Sequence, residues 1–272
     1  MSGIRRLLAI LVLLVLIAFG WLWWNQPQPA DMAANVPADS LVYLETNSLT
    51  DIAKTLAGTD AWRQLEPYLG AKTTRQQNRW LTFFLKTTGI GSTTAVIATR
   101  AQAAFVLLDL SEVSNGDTLE YKPQAALVVE THTSATRIKP AIEKIIGDLA
   151  NRVYGTPRFE RASVAGSELV KWFAPDGVRH IVASFDGSVV VVGNDERAVL
   201  ACLAARRGER PSLQRQPDLE EMRSRLHSSQ ALAFGFVSSA NTARLVSDSA
   251  PLLLGKLADN SQLQKILGAG AG

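Results

Sequence analysis

Residues 168–193 read ELVKWFAPDGVRHIVASFDGSVVVVG. Three short apolar runs, Glu168–Phe173, Val178–Phe185 and Ser188–Gly193, are separated by Asp176-Gly177 and Asp186-Gly187. Asp-Gly favours tight turns whose twist matches the right-handed twist of antiparallel strands. The spacing predicts a meander of three sequential antiparallel strands, with a two-residue type I′ turn and positive φ at Gly177 and Gly187. Alternation then places Val178, His180 and Val182 on one face and Arg179, Ile181 and Ala183 on the other. His180 shares its face with apolar residues, which suits a structural or ligand-contacting ring better than an exposed base.

Outward from this stretch, Arg158–Val164 reads as one more strand. Asn194 or Asp195 caps a helix that runs through Arg207 and stops at Gly208. Upstream, Ser134–Val153 is the clearest amphipathic helix, with Ile138, Ile142, Ile145, Ile146, Leu149 and Val153 on one stripe. Ile142, Ile145 and Leu149 are expected to be buried against the sheet. Pro140 suggests that the regular helix begins there, with proline at its first position. Leu41–Thr46, Ala95–Thr99, Ala103–Leu110, Gln124–Thr131 and Ala231–Val237 read as strands, Ser114–Lys122 as a polar loop, and Pro211–Leu226 as a loop and a charged helix. Hairpins separated by helices predict an α+β fold with an antiparallel-dominated mixed sheet and helices packed mainly on one face.

The N-terminus has a different character. Arg5 and Arg6 precede LLAILVLLVLIAFGWLWW, residues 7–24, which carry no charge. As a helix this run is about 27 Å long, enough to cross the hydrocarbon core of a bilayer. Leu7 opens it, and Trp21, Trp23 and Trp24 suit a membrane–water interface. A cleaved signal peptide would continue into small residues ending in an A-x-A-like site, and here those come late. The segment reads as a retained transmembrane anchor over 1–24. The flanking arginines keep the N-terminus cytoplasmic, so the bulk of the chain is expected on the far side of the inner (cytoplasmic) membrane, extracytoplasmic in general and periplasmic in a bacterium with two membranes. Residues 25–36 read as a polar, proline-containing linker and 37–272 as the extracytoplasmic domain. Gly268–Gly272 offer no polar tail, which is expected either of a chain that continues or of a frayed C-terminus.

A chain that is 47% hydrophobic and 19% charged is an ordinary globular one. The net charge of +3 includes Arg5 and Arg6. The rest is nearly neutral and gives no sign of nucleic acid as a partner. Arg206, Arg207 and Arg210 cluster at a helix end, where cations complement the dipole. The single cysteine, Cys202, has Val199, Leu200 and Leu203 as neighbours and reads as a buried small side chain. In Thr74–Lys86, Trp80, Phe83 and Phe84 fall on one side of a helical pattern. They form a partner- or ligand-binding face or, preferably, core. Gly89-Ile90-Gly91 lacks the third glycine of a dinucleotide loop and reads as a helix stop.

The chemistry of common enzymes is missing from the pattern. There is no G-x-S-x-G elbow, no H-E-x-x-H and no phosphate-binding lysine loop. His132, His180 and His227 are too far apart for common zinc motifs. Glu130 and Asp109, near strand ends, could pair as acid and base or simply be solvated. No metal, cofactor or catalytic residue is assigned.

Val36-Pro-Ala-Asp-Ser-Leu-Val-Tyr43, Ala126-Leu-Val-Val-Glu-Thr131, Val164-Ala-Gly166, Phe185-Asp-Gly-Ser-Val-Val-Val-Val-Gly193 and Pro211-Ser-Leu-Gln-Arg-Gln-Pro217 occur in that order, followed by the strand ALAFGFV. Together they resemble bacterial membrane-anchored envelope proteins grouped as domain of unknown function 3352. The resemblance runs from about Val36 to at least Val237. It implies an N-terminal anchor and an envelope location, and brings no catalytic residues. The expected function is a non-enzymatic binding or scaffolding module whose partners are the bilayer and another envelope protein or lipid. The alternatives are a carrier of an apolar ligand and a hydrolase whose residues converge only in three dimensions.

Overall fold

The computed structural model describes residues 29–48, 51, 55, 101–115, 118–228, 231–238, 241–243 and 246–247. The expected anchor with Leu7, Trp21, Trp23 and Trp24 lies outside the described residues. So do Trp80, Phe83 and Phe84, the Gly89–Gly91 stop and the strand expected over 95–99. Among the described residues no helix is long and apolar enough to cross a membrane. Met1–Ala30 and Asp31–Gly272 are separate compact units, and every described strand and helix belongs to the second.

The centre of this second unit is an eight-stranded sheet. The strands are β1 (Val42–Thr46), β2 (Gln102–Asn115), β3 (Thr118–Glu130), β4 (Arg158–Val164), β5 (Ser167–Phe173), β6 (His180–Asp186), β7 (Val189–Gly193) and β8 (Phe234–Phe236). Their order is β4-β5-β6-β7-β3-β2-β1-β8, and every neighbouring pair is antiparallel. The fold is therefore α+β, with a wholly antiparallel sheet among the described strands where a mixed one was expected.

The meander is present, with strands paired in sequence order, but its turns differ from the expectation. Gly177 and Gly187 both have positive φ, at 69° and 63°. Asp176-Gly177 belongs to a longer loop, because Phe173 pairs with His180 and the Ala174 amide donates to the Arg179 carbonyl at 2.8 Å. Pro175 fixes a turn closed by the Gly177 amide on the Ala174 carbonyl at 2.9 Å. In the next turn Asp186 pairs with Val189, so the central residues are Gly187-Ser188. Positive φ at the first of these alone is the sign pattern of type II′. Type I′ signs occur instead at Ala165-Gly166, between β4 and β5, where both φ values are positive, at 49° and 74°.

Alternation along the strands fills two separate cores. On one face Leu169, Val182, Val189 and Val191 join Val106, Val128 and Tyr43. They are covered by α2 (Glu196–Arg206) through Val199, Cys202 and Leu203, by α3 (Pro217–Arg225) through Leu219, and by the 3-10 turns Met32–Asn35 and Leu213–Arg215. On the other face Val170, Trp172 and Ala183 pack under α1 (Ala135–Tyr154) through Ile146 and Ala150. The one-faced arrangement expected from sequence fits α2 and α3 and fails for α1.

Four sequence expectations need correction, two of them about α1. The helix begins at Ala135 and runs through Pro140, because residues further along anchor it to the sheet strongly enough to tolerate one missing hydrogen bond. Its buried residues, Ile138, Ile146 and Ala150, follow a row of spacing four that drifts around the helix. Ile145 is only half-buried, and Leu149 is 47% exposed. Within Ser114–Lys122, expected as a loop, residues 114–115 and 118–122 are strand. At the N-terminus, Met32, Ala33 and Val36 are fully buried, so the last part of the expected linker is core. Asp31 starts this turn by accepting the Ala33 amide at 3.0 Å.

Candidate functional site

The β2–β3 hairpin outruns its neighbours, and this divides the sheet into two unlike ends. β1 accompanies β2 only from Ala103 to Leu107, and β7 accompanies β3 only from Ala126 to Glu130. Beyond a bulge between Leu107 and Asp109, seven further residue pairs, from Asp109↔Gln124 to Asn115↔Thr118, continue as a two-stranded arm. At about 3.4 Å per residue the arm extends roughly 24 Å. Asn194 secures its base, with its side-chain oxygen accepting the Ala125 amide at 2.9 Å and its nitrogen donating to the Pro123 carbonyl at 2.6 Å. A side-chain amide thus takes over where β7 stops, beside a proline that has no N–H to offer. No described strand flanks residues 110–115 or 118–121 on their outer sides.

At the opposite end, buried polar groups replace the apolar ladder. Gln102 and Glu130 are directly opposed and both buried. Gln102 donates to the Asn47 side chain at 3.1 Å, and its oxygen lies 3.2 Å from His132 Nε2. Glu130 accepts the His132 backbone amide at 2.7 Å, which turns the chain sharply and accounts for φ of 52° at His132. Thr131 Oγ1 donates to the Ser188 carbonyl at 2.7 Å. These contacts finish β3 and dock the next turn, so the His132 ring is held by a carboxamide.

The remaining sequence candidates are dispersed. Asp109 stands at the base of the arm and Glu130 at the other end of the same strand pair, so they do not meet as acid and base. His180 begins β6, at the end of the sheet away from His132. Its Nδ1 lies 2.9 Å from the Val178 carbonyl, and its ring tilts against Phe173 at 5.3 Å. His227 is exposed just past α3, with φ of 49°, where it ends the helix. Among the described residues no group of three or more His, Cys, Asp and Glu side chains could hold a metal ion. Cys202 is fully buried, and burial pushes its thiol up to about 12. The clustered arginines are used internally. Arg206 reaches Asp186 at 3.3 Å and Asn35 at 3.0 Å, Arg207 donates to Ser167 at 2.8 Å, and Arg210 pairs with Asp39.

One constellation had no sequence signal. Arg223 of α3 grips Glu45 of β1 through two nitrogens, at 2.7 and 3.1 Å, and reaches Asp31 at 3.0 Å. Tyr43 donates to the same Glu45 at 2.6 Å. Burial holds the Tyr43 phenol far above its ordinary value, and the Glu45 charge adds to this. Burial disfavours the Arg223 charge, yet Glu45 and Asp31 outweigh it and its pKa is raised. Such a bidentate, half-buried pair ties the start of the unit and β1 to α3.

A third feature is apolar. Leu44, Phe105 and Leu127 are directly opposed across β1, β2 and β3, and are 46%, 40% and 42% exposed. They lie on the face that α1 covers further along the sheet, since Leu127 pairs with Val192, which packs in the α1 core. Compared with known proteins, the chain matches no family model, no curated protein and no solved structure.

Proposed function

We propose that this chain is a membrane-tethered extracytoplasmic domain that binds another component of the cell envelope, with the β2–β3 arm as its contact element. The observation that carries the reading is the arm itself. A two-stranded hairpin is at best marginally stable alone in water, and its outer edges offer backbone groups to a further strand. Asn194 anchors the base of this one to the sheet. The tether rests on the uncharged run at 7–24 with its flanking arginines and tryptophans, and the envelope location on that run and on the family resemblance.

Binding is favoured over catalysis because the histidine rings of the described ends are held by Gln102 and by the Val178 carbonyl, which position them and do not activate a nucleophile. The space between sheet and α1, where an apolar ligand would be enclosed, is filled by Ile146, Ala150 and Trp172. Gly147 there sits so close that a Cβ would lie 3.5 Å from the Trp172 indole nitrogen.

The test is in-cell crosslinking with mass spectrometry on the full chain, compared with a variant in which residues 110–122 are replaced by a two-residue turn. Crosslinks from the arm to one envelope component, lost in the shortened variant, are expected. Identical crosslinks in both would overturn the assignment.

A further inference from the structure

β4 forms one edge of the sheet. Its two-residue turn to β5, Ala165-Gly166, is closed by the pair Val164–Ser167, which in such a hairpin exchanges both backbone hydrogen bonds. Alternation then turns the N–H and C=O groups of Phe159, Arg161 and Ser163 away from β5. They have no hydrogen-bond partner among the described residues. The open edge begins with Arg158, Phe159 and Glu160. Arg158 and Glu160 share one face, 3.8 Å apart, with side chains 72% and 47% exposed. Phe159 points to the other face, 49% exposed and edge-on to Trp172.

We infer that β4 pairs with β4 of a second copy, antiparallel and centred on Phe159. Charges on an edge strand ordinarily keep a further strand away. Here their signs make Arg158-Phe159-Glu160 complementary to its own reverse. Centred on Phe159, the pairing sets Arg158 opposite Glu160 of the second copy, and Glu160 opposite Arg158 of the second copy. The two exposed Phe159 rings meet on the twofold axis, and each Phe159 exchanges its free N–H and C=O with the other. Beyond them Arg161 faces Pro157 of the second copy, where proline has no N–H to give and the pairing ends.

The interface is closed and isologous, so it gives a dimer and not a filament. Its axis is normal to the sheet, so both copies present the same face on the same side. That face includes the 3-10 turn Met32–Asn35, by which each chain enters the domain. Two chains inserted in one membrane can therefore pair. The inference is independent of the arm, which is built from β2 and β3.

The test uses the full membrane-inserted chain carrying Phe159→Cys, with Cys202 buried and silent. Mild oxidation should give a dimer that reductant dissolves, because directly opposed residues lie within disulfide reach. Val178→Cys, on an exposed loop, should give none. Equal crosslinking at both positions would mean chance encounter in the membrane and would overturn the inference.

Added to Phe159→Cys, Arg158→Glu or Glu160→Arg should each cut the dimer roughly tenfold, since directly opposed like charges destabilise. Each variant also loses the bridge within its own chain, so the deciding measurement is the mixture. Arg158→Glu chains present two carboxylates and Glu160→Arg chains two guanidinium groups. Co-expressed with tags of different size, the two should form a mixed disulfide as readily as Phe159→Cys alone, and only charges meeting between copies can restore it. A mixed yield no higher than that of either variant alone, or a dimer indifferent to both substitutions, would overturn the register and the inference with it.

Discussion

The two halves of the sheet are built from the same alternation and stabilised differently. In the β4–β7 half, strands follow one another in sequence and both faces are packed, one under α2 and one under α1. In the β3-β2-β1-β8 half, β2 and β3 form a hairpin, while β1 and β8 come from distant parts of the chain. One face is apolar and buried, while the other carries the exposed Leu44–Phe105–Leu127 row. The first half is held by local turns and two apolar cores. The second relies on one core and on long-range polar ties, above all Arg223 to Glu45. Folding order should follow this difference, since the meander closes short loops and β1–β8 closes a very long one.

The contrast breaks most visibly at α1. Ile146 is buried over Trp172 and Ala183, so Ile146→Ala should cost roughly 2–5 kcal/mol in denaturant unfolding. Leu149→Ala, three residues along the same helix and half exposed, should cost less than about 0.5 kcal/mol. Equal losses would mean that the outer side of α1 is also covered.

In the other half the largest single effect belongs to a charge. Arg223→Ala leaves Glu45 with its side chain only 10% exposed and without its cation. The loss should be roughly 3 kcal/mol, the lower end of the range for breaking a buried pair, because Arg223 keeps some solvent. Arg223→Met combined with Glu45→Gln should recover part of it, since neither variant side chain then carries an unmatched charge. A loss below about 0.5 kcal/mol for Arg223→Ala would reduce the network to surface decoration.

These differences also explain what the sequence reveals. The meander is legible because its two Asp-Gly pairs sit between apolar runs, and glycine is needed where φ is positive. The turn types are not legible. Pro175 lengthens the first loop, and the pairing of Asp186 with Val189 moves the second turn one residue on. The order of β3 beside β7, and of β8 beside β1, joins segments with no local signal between them. The α1 stripe follows an ideal 100° repeat, whereas burial follows the spacing-four row, so Leu149 points inward by the first and outward by the second. The Arg223–Glu45–Asp31 network is invisible for the same reason as the strand order, since its members are far apart in sequence. The arm is hidden by composition: SNGDTLEYK reads as loop, and only its pairing in register makes it strand.

The next smaller effect sharpens the comparison of turns. Ala165 has φ of 49° in a type I′ turn that favours asparagine there. Ala165→Asn should stabilise the domain by about 0.5–1 kcal/mol, because the asparagine side chain can hydrogen-bond locally and so offset part of the left-handed Cβ penalty. A decrease in thermal midpoint would mean that the neighbouring Arg207 contact to the Ala165 carbonyl outweighs backbone strain.

The smallest effect is one of pH. Asp176 accepts both backbone amides of the loop, Val178 at 2.9 Å and Arg179 at 3.0 Å, and the Arg179 guanidinium at 2.7 Å. The Arg179 side chain first, then these amides, lower its carboxyl to about 2. In the unfolded chain the group titrates near 3.9, at the ordinary value for aspartate. A folded pKa below the unfolded one means stability that is fully present above about pH 4 and is lost as pH falls through about 2. Asp176→Asn keeps an acceptor for the amides but has no charge to lose. Its thermal midpoint should lie slightly below that of the unsubstituted chain at pH 7, and the two should converge as pH falls from about 4 to 2. The site is fully exposed, so added salt should narrow the gap at pH 7. A difference that stayed constant from pH 7 to pH 2 would show that the loop is held by its backbone hydrogen bonds alone and that the ion pair with Arg179 adds nothing.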